Sequence, residues 1–188
     1  LYKQSQSFNV KNLIIDDYLS FSKARKFFKN KKINIFNNLS DYLKKNKSKF
    51  DLVIVGISGL DGLKPTLKII PFTKTLASAN KESIICGWKF IKKNLKKYNT
   101  NFIPIDSEHF SVWSLIKNDK KLISKIYLTA SGGPFLTTSA SQLKKVNIRN
   151  VINHPNWSMG KKISTDSASM MNKVFEVIEA SKIFEVDI

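Results

Sequence analysis

The clearest strand signal in the sequence is Asp51-Leu-Val-Ile-Val-Gly56, a β-branched apolar run that closes on glycine. A continuous run of this kind is typical of a parallel strand that is buried on both faces. Four further strand-like runs lie on either side of it, at Asn12–Ile15, Ile33–Phe36, Lys74–Ala79 and Phe102–Ile105. Helical patterns separate the runs. This alternation predicts an α/β fold in which helices wrap a parallel sheet.

The helical patterns between these strands have recognisable starts. We predict four helices in the first part of the chain, over Leu19–Asn30, Asp41–Lys47, Leu63–Ile70 and Glu82–Lys97. Ser40 and Asn80 are suitable N-caps for the second and fourth helices, because their side chains can accept a hydrogen bond from the first turn.

The second half of the chain has a less regular pattern. We predict a strand over Ile123–Ala130 and a glycine turn at Ser131–Pro134. A polar loop that begins at Ser164 then opens a final helix, which continues through Phe184.

The composition excludes several classes of protein. The chain has 188 residues, which is enough for one large domain or two small domains with a real core. No apolar run approaches the roughly 18 residues that a membrane span needs. The single cysteine, Cys86, excludes an internal disulfide framework and fits a reducing compartment.

The net charge of +18 is compatible with nucleic-acid binding. However, all of the 32 basic residues except Arg25 and Arg149 are lysines, whereas sequence-reading proteins favour the bidentate fork of arginine. Scattered lysines are typical of solvated helix faces. A positive field would also favour a phosphorylated small substrate, so the charge alone decides nothing.

Three carboxylates from two segments are candidates for a metal site. Asp106 and Glu108 follow the run Phe102–Ile105, and on a strand the side chains at i and i+2 point to the same side. Glu176 shares one helix face with Asn172, four positions earlier. If the two segments meet, the carboxylates can bind one hard cation, because such cations prefer oxygen ligands.

Polar groups follow three of the predicted strands, at the position where open α/β sheets bind ligands. They occupy Ala79–Ser83, Asp106–His109 and Ser131–Pro134. A structural interpretation stays open for each of them. Lys81 and Glu82 are also ordinary first-turn residues of a helix, and the glycine turn is either a plain turn or a cradle for an anion.

A phosphate site is a further candidate. Ser167 together with Asn172 and Lys173 at a helix start offers hydroxyl, amide and ammonium groups and the helix dipole. The alternative is simple capping of the helix by Asp166 or Ser167.

The histidines and tryptophans have different expected roles. We expect His109 to pack or to cap a helix start rather than to catalyse. His154 opens the run His154-Pro-Asn-Trp-Ser-Met-Gly160, which describes a lid as well as it describes a loop. We expect Trp88 and Trp113 to belong to the core.

Five motifs together resemble one known family. They are Ala79-Asn-Lys-Glu-Ser83, Pro104-Ile-Asp-Ser-Glu-His109, Ala130-Ser-Gly-Gly-Pro-Phe135, His154-Pro-Asn-Trp-Ser-Met-Gly-Lys161 and Asp166-Ser-Ala-Ser-Met-Met-Asn-Lys173, followed by Glu176 and Ile178-Glu-Ala180. In this order the chain resembles the 1-deoxy-D-xylulose 5-phosphate reductoisomerases. The resemblance implies a partial Rossmann-like parallel sheet over residues 1–104, as the later part of an NADPH-binding domain. It also implies a central α/β catalytic domain over residues 105–188.

The resemblance also implies a reaction. Members of the family convert 1-deoxy-D-xylulose 5-phosphate to 2-C-methyl-D-erythritol 4-phosphate in the non-mevalonate pathway of isoprenoid biosynthesis. They use NADPH and a divalent cation, which is Mg²⁺, Mn²⁺ or Co²⁺. The cation would chelate the substrate's carbonyl and hydroxyl oxygens as a Lewis acid, and NADPH would reduce the aldehyde that the rearrangement yields.

The roles that the resemblance implies fall on named residues of this sequence. The metal ligands are Asp106, Glu108 and Glu176, and the catalytic residues are these three with Lys81 and His154. The substrate-binding residues are Lys81, Ser107, Glu108, His154 and Glu176, together with the phosphate ligands Ser131, Ser167, Asn172 and Lys173. The lid residues are Trp157 and Met159, and the dinucleotide contacts are Asn80, Glu82 and Gly160.

The chain also departs from the family pattern. It has neither the glycine-rich turn that holds the NADPH pyrophosphate nor the C-terminal helical domain. The sequence opens at Leu1 and stops at Ile188 without recognisable caps, so we expect a piece of a longer protein. We also expect weak or no turnover by this chain alone, and exposed apolar surface at a sheet edge.

Two rival functions stay open. A different NADPH-dependent α/β oxidoreductase would share the sheet but would not need the three carboxylates. A basic nucleic-acid-binding module would explain the charge, but carboxylates repel phosphate groups. The partners that we expect are a small phosphorylated sugar and a second copy in a homodimer, with no nucleic acid and no membrane. The expected location is the bacterial cytoplasm, with a plastid-type organelle as the alternative.

Overall fold

Two parallel sheets organise the chain in the computed structural model, which describes residues 1–116, 124–154 and 158–188. Strand β1 (Asn12–Ile14) pairs with β2 (Asn34–Phe36). Strands β3 (Phe50–Val55), β4 (Thr73–Ser78) and β5 (Asn101–Pro104) form the second sheet in that order. All of these pairings are parallel. The predicted α/β fold is confirmed, although the strands divide into two sheets.

Helices connect the strands and cover them. In the described ranges they are α1 (Tyr2–Ser7), α2 (Tyr18–Phe27), α3 (Leu39–Lys45), α4 (Leu63–Ile69), α5 (Lys81–Tyr98), α6 (Ser107–Ile116), α7 (Ala140–Leu143), α8 (Ile148–Ile152), α9 (Lys161–Ala168) and α10 (Met171–Phe184). Short 3₁₀ turns at Leu60–Gly62 and Ile70–Phe72 flank α4. None of the helices in these ranges has both the length and the apolar character that crossing a membrane requires.

The predicted strand over Ile123–Ala130 is wrong for residues 124–130, which form no regular element, and Ile123 lies outside the described residues. Two apolar side chains of this segment, Ile126 and Leu128, pack against a buried cluster that includes Ile84. No described strand pairs with the segment. Its backbone therefore has no ladder to join, and strand-like composition alone does not make a strand.

Two local predictions about helix starts also need correction. The polar loop expected from Ser164 is wrong because α9 already covers that residue, and Met170, with a φ of 60°, makes the left-handed turn into α10. The N-cap of α3 is Asn38 and not Ser40, since the Asn38 side chain accepts from the backbone N–H of Asp41. The predicted cap of α5 is confirmed, because the Asn80 side chain accepts from its first turn.

Helix α5 connects two apolar clusters of the described residues. The first cluster is Leu43, Val55, Ile69, Ile70, Leu76, Ile91 and Leu95, and the second is Ile84, Ala180, Ile183 and Phe184. Ile84, Ile91 and Leu95 recur at helical spacing on one side of α5. Trp88 and Trp113 pack against these clusters, as predicted. This apolar stripe places the start of α5 beside α10.

Candidate active site

The candidate site is a cavity of about 760 Å³ beyond the carboxyl ends of β4 and β5. Its walls are the starts of α5 and α6, residues 129–133, and the junction of α9 with α10. The predicted site residues that line it are Lys81, Asp106, Ser107, Glu108, Ser131, His154, Met159, Ser167, Asn172, Lys173 and Glu176. Trp157 lies outside the described residues.

Asp106, Glu108 and Glu176 each turn a carboxylate oxygen towards one point, and the three oxygens lie within 4.8 Å of one another. The carboxylates of Asp106 and Glu108 converge for a different reason from the strand alternation that we predicted. Strand β5 ends at Pro104, so Asp106 lies in the connection and Glu108 in the first turn of α6. The partial positive charge at a helix start favours a carboxylate there. Three oxygen donors fit Mg²⁺ or Mn²⁺ better than they fit a zinc-type site.

Two lysines face the three carboxylates. Lys81 Nζ lies 2.7 Å from Asp106 Oδ2 and 3.2 Å from Glu176 Oε1, and its side chain is buried. Lys173 Nζ lies 3.3 Å from Glu108 Oε1 and also contacts the Glu176 carboxylate. Two ammonium groups therefore face three carboxyl groups that converge on one point. Oxygen donors gathered in this way suit a hard cation.

Burial and ion pairing shift the pKa values of the site residues in different directions. Burial acts to lower the pKa of Lys81, but the neighbouring carboxylates of Asp106 and Glu176 raise it by more, so this pKa is raised. Burial raises the pKa of Asp106 in spite of the ammonium group beside it. Burial also opposes ionisation of Glu108, but hydrogen bonds with Ser107 and Asp106 lower its pKa to about 2. At neutral pH Glu108 is a carboxylate and Lys81 is an ammonium group.

The opposite wall of the cavity is a glycine loop that packs on α9. Gly132 and Gly133 have φ values of 83° and 66°, in the left-handed region that favours glycine. A Cβ atom on Gly133 would lie 2.8 Å from the carbonyl oxygen of Ser167, so a larger residue would push the loop away from α9. Ser131 Oγ lies 3.1 Å from Nε2 of His154. The loop thus brings the hydroxyls of Ser131 and Ser167 to one cavity.

Asn172 connects the phosphate candidates with the carboxylates. It lies in the first turn of α10, donates to Glu176 Oε1 at 2.6 Å and accepts from Lys81 Nζ at 3.0 Å. Ser167 lies near the end of α9, and α10 begins without a side-chain cap. The alternative in which Asp166 or Ser167 caps this helix is therefore wrong.

The three predicted dinucleotide contacts are not among the residues that line the cavity. The amide of Asn80 accepts from the first turn of α5 and donates to the carbonyl oxygens of Ile57 and Gly59. Glu82 forms an ion pair with a lysine of α9, and Gly160 is the N-cap residue of α9. Asn80 therefore has a structural role, and the dinucleotide assignment of the three residues stays a prediction.

Comparison with known proteins identifies the family. A family model described as 1-deoxy-D-xylulose 5-phosphate reductoisomerase matches residues 1–87, and one described as the C-terminal domain of that enzyme matches residues 102–184. The chain belongs to the 1-deoxy-D-xylulose 5-phosphate reductoisomerase family.

Similar members of this reductoisomerase family are about twice as long as the chain. A 1-deoxy-D-xylulose 5-phosphate reductoisomerase from Pelagibacter ubique (strain HTCC1062) is 57% identical over 100% of this chain and 49% of its own length. The crystal structure of DOX-P reductoisomerase in complex with NADPH, fosmidomycin and magnesium has a TM-score of 0.86 and 31% identity, over 98% of this chain and 48% of its own. The Zymomonas mobilis reductoisomerase in complex with NADPH has a TM-score of 0.86 and 30% identity, over 100% and 48%. The chain spans about half the length of these relatives.

Sequence reasoning missed a buried pair behind the carboxylates. His109 is buried, as predicted, with Nε2 2.9 Å from the carbonyl oxygen of Glu176 and Nδ1 3.4 Å from Glu179 Oε2. Glu179 is fully buried, and neither of its carboxyl oxygens has a hydrogen-bond partner in the described part of the chain. Burial raises the pKa of Glu179 to about 8. Its position three residues after Glu176, on the same helix face, was the available signal.

We expect Glu179→Gln to flatten the pH dependence of stability. Folded Glu179 keeps its proton up to a pKa of about 8, whereas the ordinary value is 4.5. Between these values the folded state binds the extra proton, so the free energy of unfolding of the wild type falls as the pH rises. Glutamine resembles the protonated acid and does not titrate. Urea denaturation at a series of pH values measures how the free energy of unfolding changes with pH in the wild type and in the variant. Equal pH dependence in the two proteins would contradict the presence of a proton on buried Glu179.

Proposed function

We propose that the full-length protein containing this chain is an NADPH- and divalent-metal-dependent reductoisomerase. It converts 1-deoxy-D-xylulose 5-phosphate to 2-C-methyl-D-erythritol 4-phosphate, a step of non-mevalonate isoprenoid biosynthesis. The observation that carries the proposal is one cavity in which three carboxylates face a set of phosphate-type ligands. Membership of the family supports the same reaction.

The carboxylate wall would hold the metal. Asp106, Glu108 and Glu176 would bind Mg²⁺ or Mn²⁺, with Co²⁺ as a further candidate, because all of the donors are oxygens. One of the solved relatives was determined with magnesium. When bound, the cation supplies Lewis-acid polarisation of the substrate's carbonyl and hydroxyl oxygens. Lys81 would donate to a substrate oxygen next to this group, and its raised pKa keeps it charged.

The opposite wall, together with two residues at the start of α10, would hold the substrate phosphate. Ser131 and Ser167 offer hydroxyls, Asn172 an amide and Lys173 an ammonium group, all on the same cavity. Together they match the charge and the acceptor oxygens of a phosphate group. Holding the phosphate at one end and the reacting oxygens at the other orients the sugar between the two walls.

Three further residues would act along the substrate. The Ser107 hydroxyl donates to Glu108 Oε2 at 2.7 Å and lies in reach of the cavity. His154 lines the cavity beside Ser131 and would contact the sugar. Met159 also lines it and would exclude water during the reaction, as a lid does. The lid role of Trp157 stays a prediction, since that residue lies outside the described ones.

NADPH is the proposed hydride donor because two solved relatives contain it. The printed sequence does not contain the Gly-Ser/Thr-x-Gly-Ser-x-Gly turn that the resemblance associates with the NADPH pyrophosphate, and the Asn80 amide is engaged with the backbone. Glu82 and Gly160 remain the positions at which this chain is proposed to contact the cofactor.

Family membership replaces the alternative of a different NADPH-dependent oxidoreductase. The nucleic-acid alternative, the domain boundary at residue 104 and the homodimer stay predictions. The relative from Pelagibacter ubique supports the proposal of a bacterial enzyme, and its location in the cytoplasm stays a prediction.

An assay of the full-length protein tests the proposed function. NADPH should be consumed when 1-deoxy-D-xylulose 5-phosphate and Mn²⁺ are both present, and consumption should stop when a chelator removes the metal. The unphosphorylated sugar is the matched control. We expect it to react at least about 100-fold less efficiently, because it cannot make the contacts between the substrate phosphate and its proposed ligands. Turnover that is independent of metal, or equal turnover of both sugars, would contradict the proposal.

A further inference from the structure

Lys162 on α9 connects three helices of the site. Its Nζ atom lies 2.6 Å from Glu82 Oε1 on α5 and 2.7 Å from Asp166 Oδ2 on α9. The same atom lies 5.6 Å from the ring centroid of Phe175 on α10, within the range of a cation–π contact. About half of the Lys162 side chain is exposed (53%), whereas its carboxylate partners are mostly covered, at 21% and 19% exposure. Three contacts from three elements therefore fix one long side chain.

Each contact lies next to a residue of the proposed site. Glu82 follows Lys81 in α5, and Asp166 precedes Ser167 in α9. The aromatic partner on α10 precedes a proposed metal ligand. Neighbouring residues of a helix point about 100° apart. Lys162 can therefore hold the backbones of the cavity walls without being one of the residues that line the cavity.

Helix α9 depends on contacts of this kind. It has eight residues, and its N-cap residue Gly160 provides no side-chain hydrogen bond. Helices this short are marginal by themselves in water, so tertiary contacts decide their position. A lysine in the first turn is also unfavourable to the helix dipole. The partners of Lys162, rather than helix propensity, explain a lysine at this place.

We infer that Lys162 is a positioning residue of the proposed site. Asp166 on the same helix orients the Lys162 side chain, and by pairing with Glu82 on α5 Lys162 sets the distance between Lys81 on one wall of the cavity and Ser167 on the other. The inference rests on the proposed function. It adds a residue that keeps the wall with the phosphate ligands at a fixed distance from the wall with the carboxylates. Contacts with a small substrate are sensitive to displacements of about 1 Å, so loss of the bridge acts on substrate binding and on turnover.

The test compares three variants of the full-length protein. Lys162→Met keeps an unbranched side chain but removes the charge, whereas Lys162→Arg keeps the charge and can bond both carboxylates. Lys161→Met makes the same change one position earlier, at an exposed lysine. We expect Lys162→Met to raise the KM for 1-deoxy-D-xylulose 5-phosphate by about threefold to tenfold and to lower kcat, with an unchanged unfolding temperature. We expect Lys162→Arg to restore KM and kcat to within about twofold of the wild-type values. Lys161→Met should also leave both constants within about twofold of the wild-type values.

Two results would overturn the inference. One is a KM for Lys162→Met that equals the KM of Lys161→Met. The other is a loss that Lys162→Arg does not restore, because a charge bridge is then not the cause. If Lys162→Met does not fold, Asp166→Asn takes its place, since it removes one charge of the bridge and conserves the side-chain volume. A KM for Asp166→Asn that equals the KM of Lys161→Met then overturns the inference.

Failure of the proposed function can be told apart from failure of this inference. If the wild type does not turn over the substrate, the proposed function is wrong. Calorimetric binding of inorganic phosphate to the same variants then tests the bridge alone. Weaker binding by Lys162→Met that arginine restores supports the positioning role, and equal binding overturns it.

Discussion

Replacing Glu176 by glutamine should weaken the binding of Mn²⁺ by on the order of 100-fold or more, since even residues behind metal ligands contribute about 10- to 100-fold. Glu176 is buried, and its carboxylate lies with those of Asp106 and Glu108 around one point. Glutamine conserves the shape of the side chain but removes the charge of a ligand. Calorimetric titration with Mn²⁺ in the presence of 1-deoxy-D-xylulose 5-phosphate measures the loss. Turnover should fall with the affinity.

The control is Glu185→Gln at the end of the same helix. Glu185 pairs with Lys92, away from the cavity, so the same chemical change should leave Mn²⁺ affinity within about twofold of the wild type. If Glu176→Gln binds Mn²⁺ as tightly as Glu185→Gln does, the three carboxylates are not the metal centre. A folded wild type that binds no Mn²⁺ would contradict the assignment as well.

Lys81→Met is expected to lower the free energy of unfolding by about 3–5 kcal/mol, as other losses of one partner from a buried ion pair do. The Lys81 side chain is 9% exposed and contacts the carboxylates of Asp106 and Glu176. Methionine fills the space but leaves these carboxylates short of one positive charge. Added Mn²⁺ should stabilise the variant more than it stabilises the wild type, because the cation supplies the lost charge. Urea denaturation with and without Mn²⁺ measures both effects.

Lys89→Met is the matched control on the same helix. Lys89 is exposed, so its replacement should change the free energy of unfolding by no more than about 0.5 kcal/mol. A Lys81→Met variant as stable as Lys89→Met would show that the buried ion pairs contribute little. If Mn²⁺ stabilises both variants equally, Lys81 does not interact with the metal site.

Much of the secondary structure could be predicted because its causes are local. The β-branched run that became β3 favours an extended backbone wherever it lies. The prediction that both of its faces are buried is wrong, because β3 lies at the edge of its sheet and leaves Leu52 and Ile54 exposed. Helix α5 was predicted as Glu82–Lys97 and is observed as Lys81–Tyr98, because an asparagine cap and a periodic apolar stripe fix its ends and its buried face.

The candidate metal site was predicted for a partly wrong reason. Asp106 and Glu108 were predicted on one strand, but Asp106 lies in the connection after β5 and Glu108 lies in the first turn of α6. The prediction of their proximity survives because the end of β5 and the start of α6 lie at the same edge of the sheet. Glu176 comes to the same edge only because α10 packs on α5.

By itself, then, the sequence determined the alternation of strands and helices, the cap of α5 and the chemical nature of the site. Tertiary structure alone decided the irregular course of residues 124–130, the sealed position of Glu179 and the bridge from Lys162 to Glu82. The physical reason is the same in all three cases. Strand pairing, exclusion of water and ion pairing depend on which atoms become neighbours in space, and those neighbours come from segments far apart in the chain.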